Sequence, residues 1–454
     1  MEDVIDAKTA DVEEAVTAPA VDTGVSLRVD PRRAELYDEL HNRPSPLVDS
    51  PCLVTHMAVV VNEKEREQEG QFLAELCQRF SINPPSPGVS CFYQNFGGFE
   101  LRWERHLEFS TYTLIRARKE DCLFEDSALK VVPRDWLERI PGQLITAIHV
   151  SMIGAPQALN EEQLCDAFEG QRVCGSQVAH GRAEILTSFR IHSDGFSRCV
   201  IRDRGLSAYQ AGRLLQRVLE IETYRLMALL GLPTARELAP RLRQLEEFLA
   251  KLNQRIAAKG SVKDDGEMLS ALTNLAAQAE KIRSDTNYRF GATNAYYDLV
   301  TSRLEQLNEQ QLPGLQTWQE FVQRRLGPGI KTCNAIQQRL EDLSRRVAHT
   351  SGLLRTRVDL SIASQNSNLL SSLDRRSSLQ LRLQQTVEGL SVAAIAYYVM
   401  GLLNYIFVAA IDLGLPINKT IAMGASVPIV VLLIWASVHG LVRTILKGKE
   451  EPKE

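Results

Sequence analysis

The sequence has no Cys-x-x-Cys pair, although eight cysteines stand at positions 52, 77, 91, 122, 165, 174, 199 and 333. Paired thiols of that spacing would signal a zinc ribbon or a redox motif; scattered single cysteines read instead as reduced, mostly buried thiols of a cytosolic domain. There is no Gly-rich phosphate loop, no Gly-x-Ser-x-Gly turn and no His-x-x-x-His pair of a helical zinc site. Nor is there a basic, aromatic-studded platform, so no nucleic-acid partner is expected. These absences argue against the common enzyme classes, and no cofactor is assigned. A basic stretch followed by an apolar core is missing from residues 1–30, so no secretory signal peptide is read there. That head carries Glu2, Asp3, Asp6, Asp11, Glu13, Glu14 and Asp22 against Lys8 and has no aromatic residue, and it is expected to be disordered.

Charge is missing from two further stretches. Residues 390–411 contain no Asp, Glu, Lys, Arg or His, except that Asp412 follows at once. Residues 420–441 contain only His439 near their end. Each run is long enough, at about 1.5 Å per helical residue, to cross a hydrocarbon core of about 30 Å. Arg375, Arg376 and Arg382 precede the first run, Arg443, Lys447 and Lys449 follow the second, and only Asp412 and Lys419 lie between. The basic flanks predict a transmembrane hairpin (390–446) with both termini cytoplasmic and an outer turn over 412–419. The lipid bilayer is thus the first expected partner, and 447–454 is a charged tail.

Residues 31–204 read as a mixed domain. A β-rich run over 52–62 precedes a helix over 63–80. Strands follow over 90–96, 99–106, 110–117, 144–153, 178–180, 183–192 and 196–202, with a helix from the Asn160 cap to 169. Gly97-Gly98 and Asp194-Gly195 suit tight turns, and adjacent hairpins argue for a largely antiparallel sheet with helices on one or both faces. The class is α+β: a cytosolic sheet domain, then an all-α stalk, then the hairpin.

From 205 to 329 the pattern is helical. Helices are expected over 207–230, ended by Gly231-Leu232-Pro233, and over 234–258, broken by 260–266. Two more follow over 267–312, with a break near Gly291, and over 315–326, stopped by Gly327-Pro328-Gly329. Between Ile330 and Glu388 proline is absent and Gly352 is the lone glycine. A continuous helix there, the stalk of 330–389, would be roughly 88 Å long. Its seam of Ile336, Leu340, Leu343, Val347, Leu354, Val358, Ile362, Leu369 and Leu373 steps in places by 4, 4 and 3, an eleven-residue, coiled-coil-like period that favours a nearly straight or weakly right-handed bundle. A belt of Ser, Asn and Gln over 361–378 is a solvated face or the lining of a wet interior. Gly389, Ala393 and Gly401 allow close helix packing, and Asn404 inside the apolar run needs a partner or water. Homo-oligomerisation would supply either.

His41-Asn42-Arg43-Pro44, the run from Leu101 to His106 with Glu108-Phe109, and the segment from Leu379 to Ser391 together resemble the bacterial membrane-anchored proteins grouped as domain of unknown function 3422 (DUF3422). The resemblance covers about residues 30–445. It implies anchoring in a bacterial inner membrane and supplies no activity. The order of domains is also similar to the CorA class of divalent-cation channels. That class carries a Tyr-Gly-Met-Asn signature at the outer end of its first span. Here Tyr398-Val399-Met400-Gly401 and Asn404 hold the same residue types in another order and earlier in the span. The likeness implies a divalent cation as ligand and Asn404 facing a pore.

On the strand around 99–106, Trp103 and Arg105 share one face, and Glu104 and His106 the other. About 7 Å apart by strand rise, Glu104 and His106 are candidates for a shared acid–imidazole site that binds a metal or moves a proton, or else a structural network. Three readings stand: an oligomeric membrane-anchored scaffold or sensor, a CorA-like channel, and a membrane-anchored enzyme using Glu104 and His106.

Overall fold

The computed structural model describes residues 30–33, 36–37, 45–118, 123–154, 160–258, 262–413 and 418–447. The acidic head and the His41-Asn42-Arg43-Pro44 motif lie outside them. The chain divides into two units, one of residues 1–253 with 272–348, the other of 254–271 with 349–454.

The first unit is built on a nine-stranded sheet. In chain order its elements are β1 (Cys52–Val60), α1 (Glu63–Arg79), β2 (Cys91–Asn95), β3 (Glu100–Arg105), β4 (Phe109–Ala117), α2 (Arg134–Leu137), β5 (Gln143–Ile153), α3 (Glu161–Ala167), β6 (Cys174–Val178), β7 (Ala183–Thr187) and β8 (Ser197–Asp203). Helices α4 (Ala208–Leu229), α5 (Gly231–Ala257) and α6 (Val262–Gln306) follow, then β9 (Gln310–Gln311), α7 (Trp318–Asp412) and α8 (Lys419–Lys447). The strand order is β2-β3-β4-β1-β5-β8-β7-β6-β9. Only β5 and β8 pair in parallel; every other neighbour is antiparallel.

Strand β1 is central, and its sequence explains why. Eight of its nine residues, Cys52 to Val59, are buried, so both faces must be covered. On one face α1 packs Phe72, Leu73, Leu76 and Cys77 against Met57, Val59, Leu101, Trp103, Tyr112 and Leu114. Asn62 starts α1 with a capping box closed by Glu65. On the other face α4 lays Leu214, Leu215, Val218 and Ile221 on Cys52, Val54, Ile148, Val150, Cys199 and Ile201, joined by Val300 and Leu304 of α6 and Trp318 and Val322 of α7. Helices thus cover both faces of a mostly antiparallel sheet.

Several local expectations are corrected. Strand β6 ends at Val178 because Ala179 and His180 turn into the left-handed region, at φ 52° and 57°. Strand β7 stops at Thr187, where the Thr187 hydroxyl accepts the Phe189 amide in a tight turn. Helix α6 runs through Gly291, held on both sides by buried Phe290 and Thr293. Helix α7 starts at Trp318 and runs through Gly327-Pro328-Gly329. Burial of Leu326, Ile330 and Cys333 outweighs the lost proline donor, and a β-carbon at Gly329 would lie 3.3 Å from Leu232 and 3.4 Å from Leu229. A β-carbon at Gly231 would lie 2.4 Å from the Thr293 hydroxyl, so that glycine is a site of close helix approach rather than a simple stop.

In the second unit, Arg357 makes two hydrogen bonds to the Asp265 carboxylate (2.9 and 2.6 Å) and one to the Ile256 carbonyl (2.8 Å). The C-terminal part of α7 pairs with α8: Glu388 meets His439 at 3.3 Å, the Ser426 hydroxyl meets the Met400 sulfur at 3.8 Å, and Trp435 stacks on His439. Both helices are long and apolar enough to cross a membrane.

Candidate functional site

A polar gap interrupts the apolar contact between the sheet and α4. On β1, the residues facing α4 are Cys52, Val54, His56 and Ala58, and His56 is the odd one out. Its neighbours across the sheet continue the polarity. Register pairs His56 with Thr113 on β4, and Thr113 with Arg102 on β3. In the next row Thr111 pairs with Glu104. Because side chains alternate along a strand, Arg102 and Glu104 share the face that Trp103 avoids. Trp103 points into the α1 core, with the Arg105 guanidinium 5.0 Å from its ring.

These residues wall a cavity of about 260 Å³. The sheet supplies His56, Arg102, Glu104, His106, Phe109, Thr111 and Thr113. Helix α4 supplies Leu215, Gln216, Leu219, Glu220, Thr223 and Tyr224, α6 supplies Arg303, and the loop before β1 supplies Pro46. Gly212 makes the loop's approach feasible, since a β-carbon there would sit 1.7 Å from the Pro46 carbonyl oxygen. The loop is then held by the Val48 amide on the Ala208 carbonyl (3.1 Å) and the Ser45 hydroxyl on Gln216 (2.8 Å).

His56 is fully engaged. Its Nδ1 lies 2.8 Å from the Thr113 hydroxyl and its Nε2 3.0 Å from that of Thr223. Burial, reinforced by His106 and Arg102, pushes its pKa down to about 3, so the ring is neutral. The charges on the wall fall into two ion pairs. Arg102 donates to Glu104 at 2.9 Å, and Arg303 donates to Glu220, which also accepts from Gln216 at 2.8 Å. Arg102 and Glu104 are largely withdrawn from solvent, at 5% and 15% side-chain exposure.

Two buried polar atoms on this wall have no hydrogen-bond partner among the described residues: Arg102 Nε and the Thr111 hydroxyl. Leaving a buried donor unmet costs about 1–3 kcal/mol, more for a charged group. Among the described residues no group of three or more His, Cys, Asp or Glu side chains is placed to hold a metal ion.

A family model described as "Protein of unknown function (DUF3422)" matches residues 28–445. The chain belongs to this family. No curated protein matches it. In this DUF3422 chain the two candidates read from sequence, Glu104 and His106, both line the cavity, His106 stacked on Phe109 at 4.4 Å. Sequence reasoning missed His56, Arg102, Thr111, Glu220 and Arg303. His56 was detectable as the one histidine in a central strand that holds no acid, lysine or arginine. Glu220 and Arg303 look like any solvated helix face until α4 and α6 are brought together.

The candidates in the apolar part of α7 differ in exposure. Val392 and Ala396 are buried and Met400 meets α8; Asn404, half-buried, continues that four-residue spacing. Tyr398, Gly389, Ala393 and Gly401 lie elsewhere: Tyr398 is 72% exposed, Ala393 is exposed, and β-carbons added at Gly389 or Gly401 would meet nothing within 4 Å. The small residues are therefore not the seam between α7 and α8.

Proposed function

We propose that this protein is a membrane-anchored ligand-binding module, a sensor whose sheet domain takes a small polar molecule into the cavity between β1, β3, β4 and α4. The observation that carries the reading is a cavity of about 260 Å³ walled by the Arg102–Glu104 and Arg303–Glu220 ion pairs, neutral His56 and an apolar side of Phe109 and Leu219. The apolar runs over 390–411 and 420–441, flanked by basic residues, support a membrane hairpin with the sheet domain on the cytoplasmic side.

The test is a thermal-shift survey of the detergent-purified full chain against a broad metabolite panel, run in parallel on Leu219→Phe, which adds bulk to the cavity wall. The added ring atoms enter the cavity, and the variant without ligand is expected to melt within a few degrees of the wild type. A compound that stabilises the wild type and loses most of that effect in the variant supports the reading; a panel with no stabilising compound refutes it. Retention in the membrane pellet through alkaline carbonate extraction is the expected result for the anchor, and release into the supernatant counts against it.

A second reading, self-association, is favoured by Gly389 and Gly401, where an added β-carbon would meet nothing within 4 Å among the described residues. Mass photometry of the full chain in detergent tests it. A discrete oligomer supports an assembly role, and a monomer removes it.

A further inference from the structure

Between Leu354 and Val392 no residue of α7 is buried, and from Ile362 to Val387 every residue is exposed among the described residues, about 39 Å of bare helix. The stretch holds six serines and two asparagines, which are weak helix formers. Propensity alone does not hold such a segment helical in water, so lateral packing has to supply the rest.

Its apolar residues are ordered. Ile362, Leu369, Leu373, Leu383 and Val387 fall on one strip whose steps alternate between four and three residues, and Asn366, Arg376 and Gln380 fill the places between them. The five apolar side chains are 46–66% exposed. A strict seven-residue repeat sustained over nearly four turns of the pattern is the period of a left-handed coiled coil. Steps of four and four from Leu354 through Val358 to Ile362 insert a stutter, which separates this strip from the buried seam before it.

The charges narrow the choice of partner. Asp374, Arg375, Arg382 and Glu388 lie off the strip on the outer side of the helix, and only Arg376 stands on it. A partner recognised by charge would find no row to match, whereas an apolar strip carrying the same amides would fit. A second α7 has that strip. With the hairpin in a bilayer all copies stand parallel, and equal residues lie at equal height. Leucine then meets leucine, and the Asn366 and Gln380 amides, each both donor and acceptor, meet their own kind. Polar residues at such positions fix register at some cost in stability. Arg376 also meets itself, a like-charge cost that its long side chain lowers by reaching water.

We propose, resting on the self-association reading, that residues 362–387 form a parallel, in-register coiled coil with a second copy of this chain. The strip from Ile362 to Val387 is its core, the two amide positions set its register, and Arg376 limits its strength.

The test is mass photometry of the detergent-purified full chain over a dilution series. The wild type is expected to be a discrete oligomer. Leu369→Glu and Leu383→Glu put a carboxylate of each copy into the core, and each is expected to raise the dissociation constant about tenfold or more. Both sites are exposed in the single chain, so its fold is unaffected. Leu381→Glu, equally exposed but off the strip, is expected to leave assembly unchanged. Arg376→Leu removes the repulsion and is expected to keep the oligomer intact at about tenfold lower concentration. As a second readout, Leu383→Cys is expected to give a disulfide-linked dimer on mild oxidation that neither the wild type nor Leu381→Cys gives. An oligomer that survives both glutamates, with no Leu383→Cys dimer, overturns the stalk assignment and leaves self-association standing. Equal weakening by Leu381→Glu overturns the choice of face. A wild-type monomer overturns the stalk assignment and self-association together.

Discussion

Acid should unfold the sheet domain by a route that His56 makes visible. In the folded chain burial holds the His56 pKa near 3, whereas an unfolded histidine titrates near 6.5. The folded state therefore binds fewer protons than the unfolded state between these values, and stability falls as pH falls through that window. The slope is about 1.36 kcal/mol per pH unit, so moving from pH 7.5 to 5.0 costs roughly 2 kcal/mol from His56. His149, lowered to about 4 chiefly by burial, contributes a similar loss over the same interval. Glu309 works in the opposite direction, since burial raises its pKa and acid relieves it. To isolate His56, urea unfolding of the full chain is followed at both pH values by the fluorescence of buried Trp103, Trp136 and Trp318, in wild type and His56→Gln. The variant loses hydrogen bonds to Thr113 and Thr223 and is expected to be less stable at pH 7.5 by about 1–3 kcal/mol. Its further loss on acidification is expected to be about 2 kcal/mol smaller than wild type's. His149 and Glu309 are common to both proteins and cancel in that difference. Equal acid losses in the two proteins would refute a neutral, buried His56.

Two further predictions concern the backbone around the cavity and along α7. Gly212→Ala forces the loop at Pro46 off α4 and is expected to cost about 1–3 kcal/mol. Faster hydrogen exchange at the Val48 amide would show that the loop has moved, and unchanged exchange and melting would contradict the close contact. Pro328→Ala restores a donor in the interior of α7 at an exposed position, where proline costs up to about 3 kcal/mol. The expected result is a melting temperature higher by a few degrees; a decrease would mean that α7 bends at Pro328 and uses the bend.

How far the fold and site can be read from the residues depends on the range of the physics involved. The Asn62 and Asn160 caps start helices where the sequence places them, because a cap acts over three residues. Alternation along β3 sends Trp103 to one face and Glu104 to the other for a reason equally local. The apolar runs near the C-terminus are visible because they need no partner to be unusual. Local propensity misleads where packing outweighs it. Gly291 and the Gly327-Pro328-Gly329 segment look like helix breaks, yet buried neighbours on both sides carry α6 and α7 through them. The two-residue β9 had no signal of its own, since Gln310 and Gln311 are strand only by pairing with β6.

Sequence alone thus determined the class of the chain, its two apolar C-terminal helices and the shared face of Glu104 and His106, each a matter of spacing between near neighbours. Only the tertiary structure decided which charges meet. Arg102 and Thr111 come from adjacent strands, Glu220 and Arg303 from helices 83 residues apart, and His56 from the middle of the sheet. The physical reason is that a cavity exists only where packing is incomplete, and completeness of packing belongs to the assembled elements rather than to any one of them.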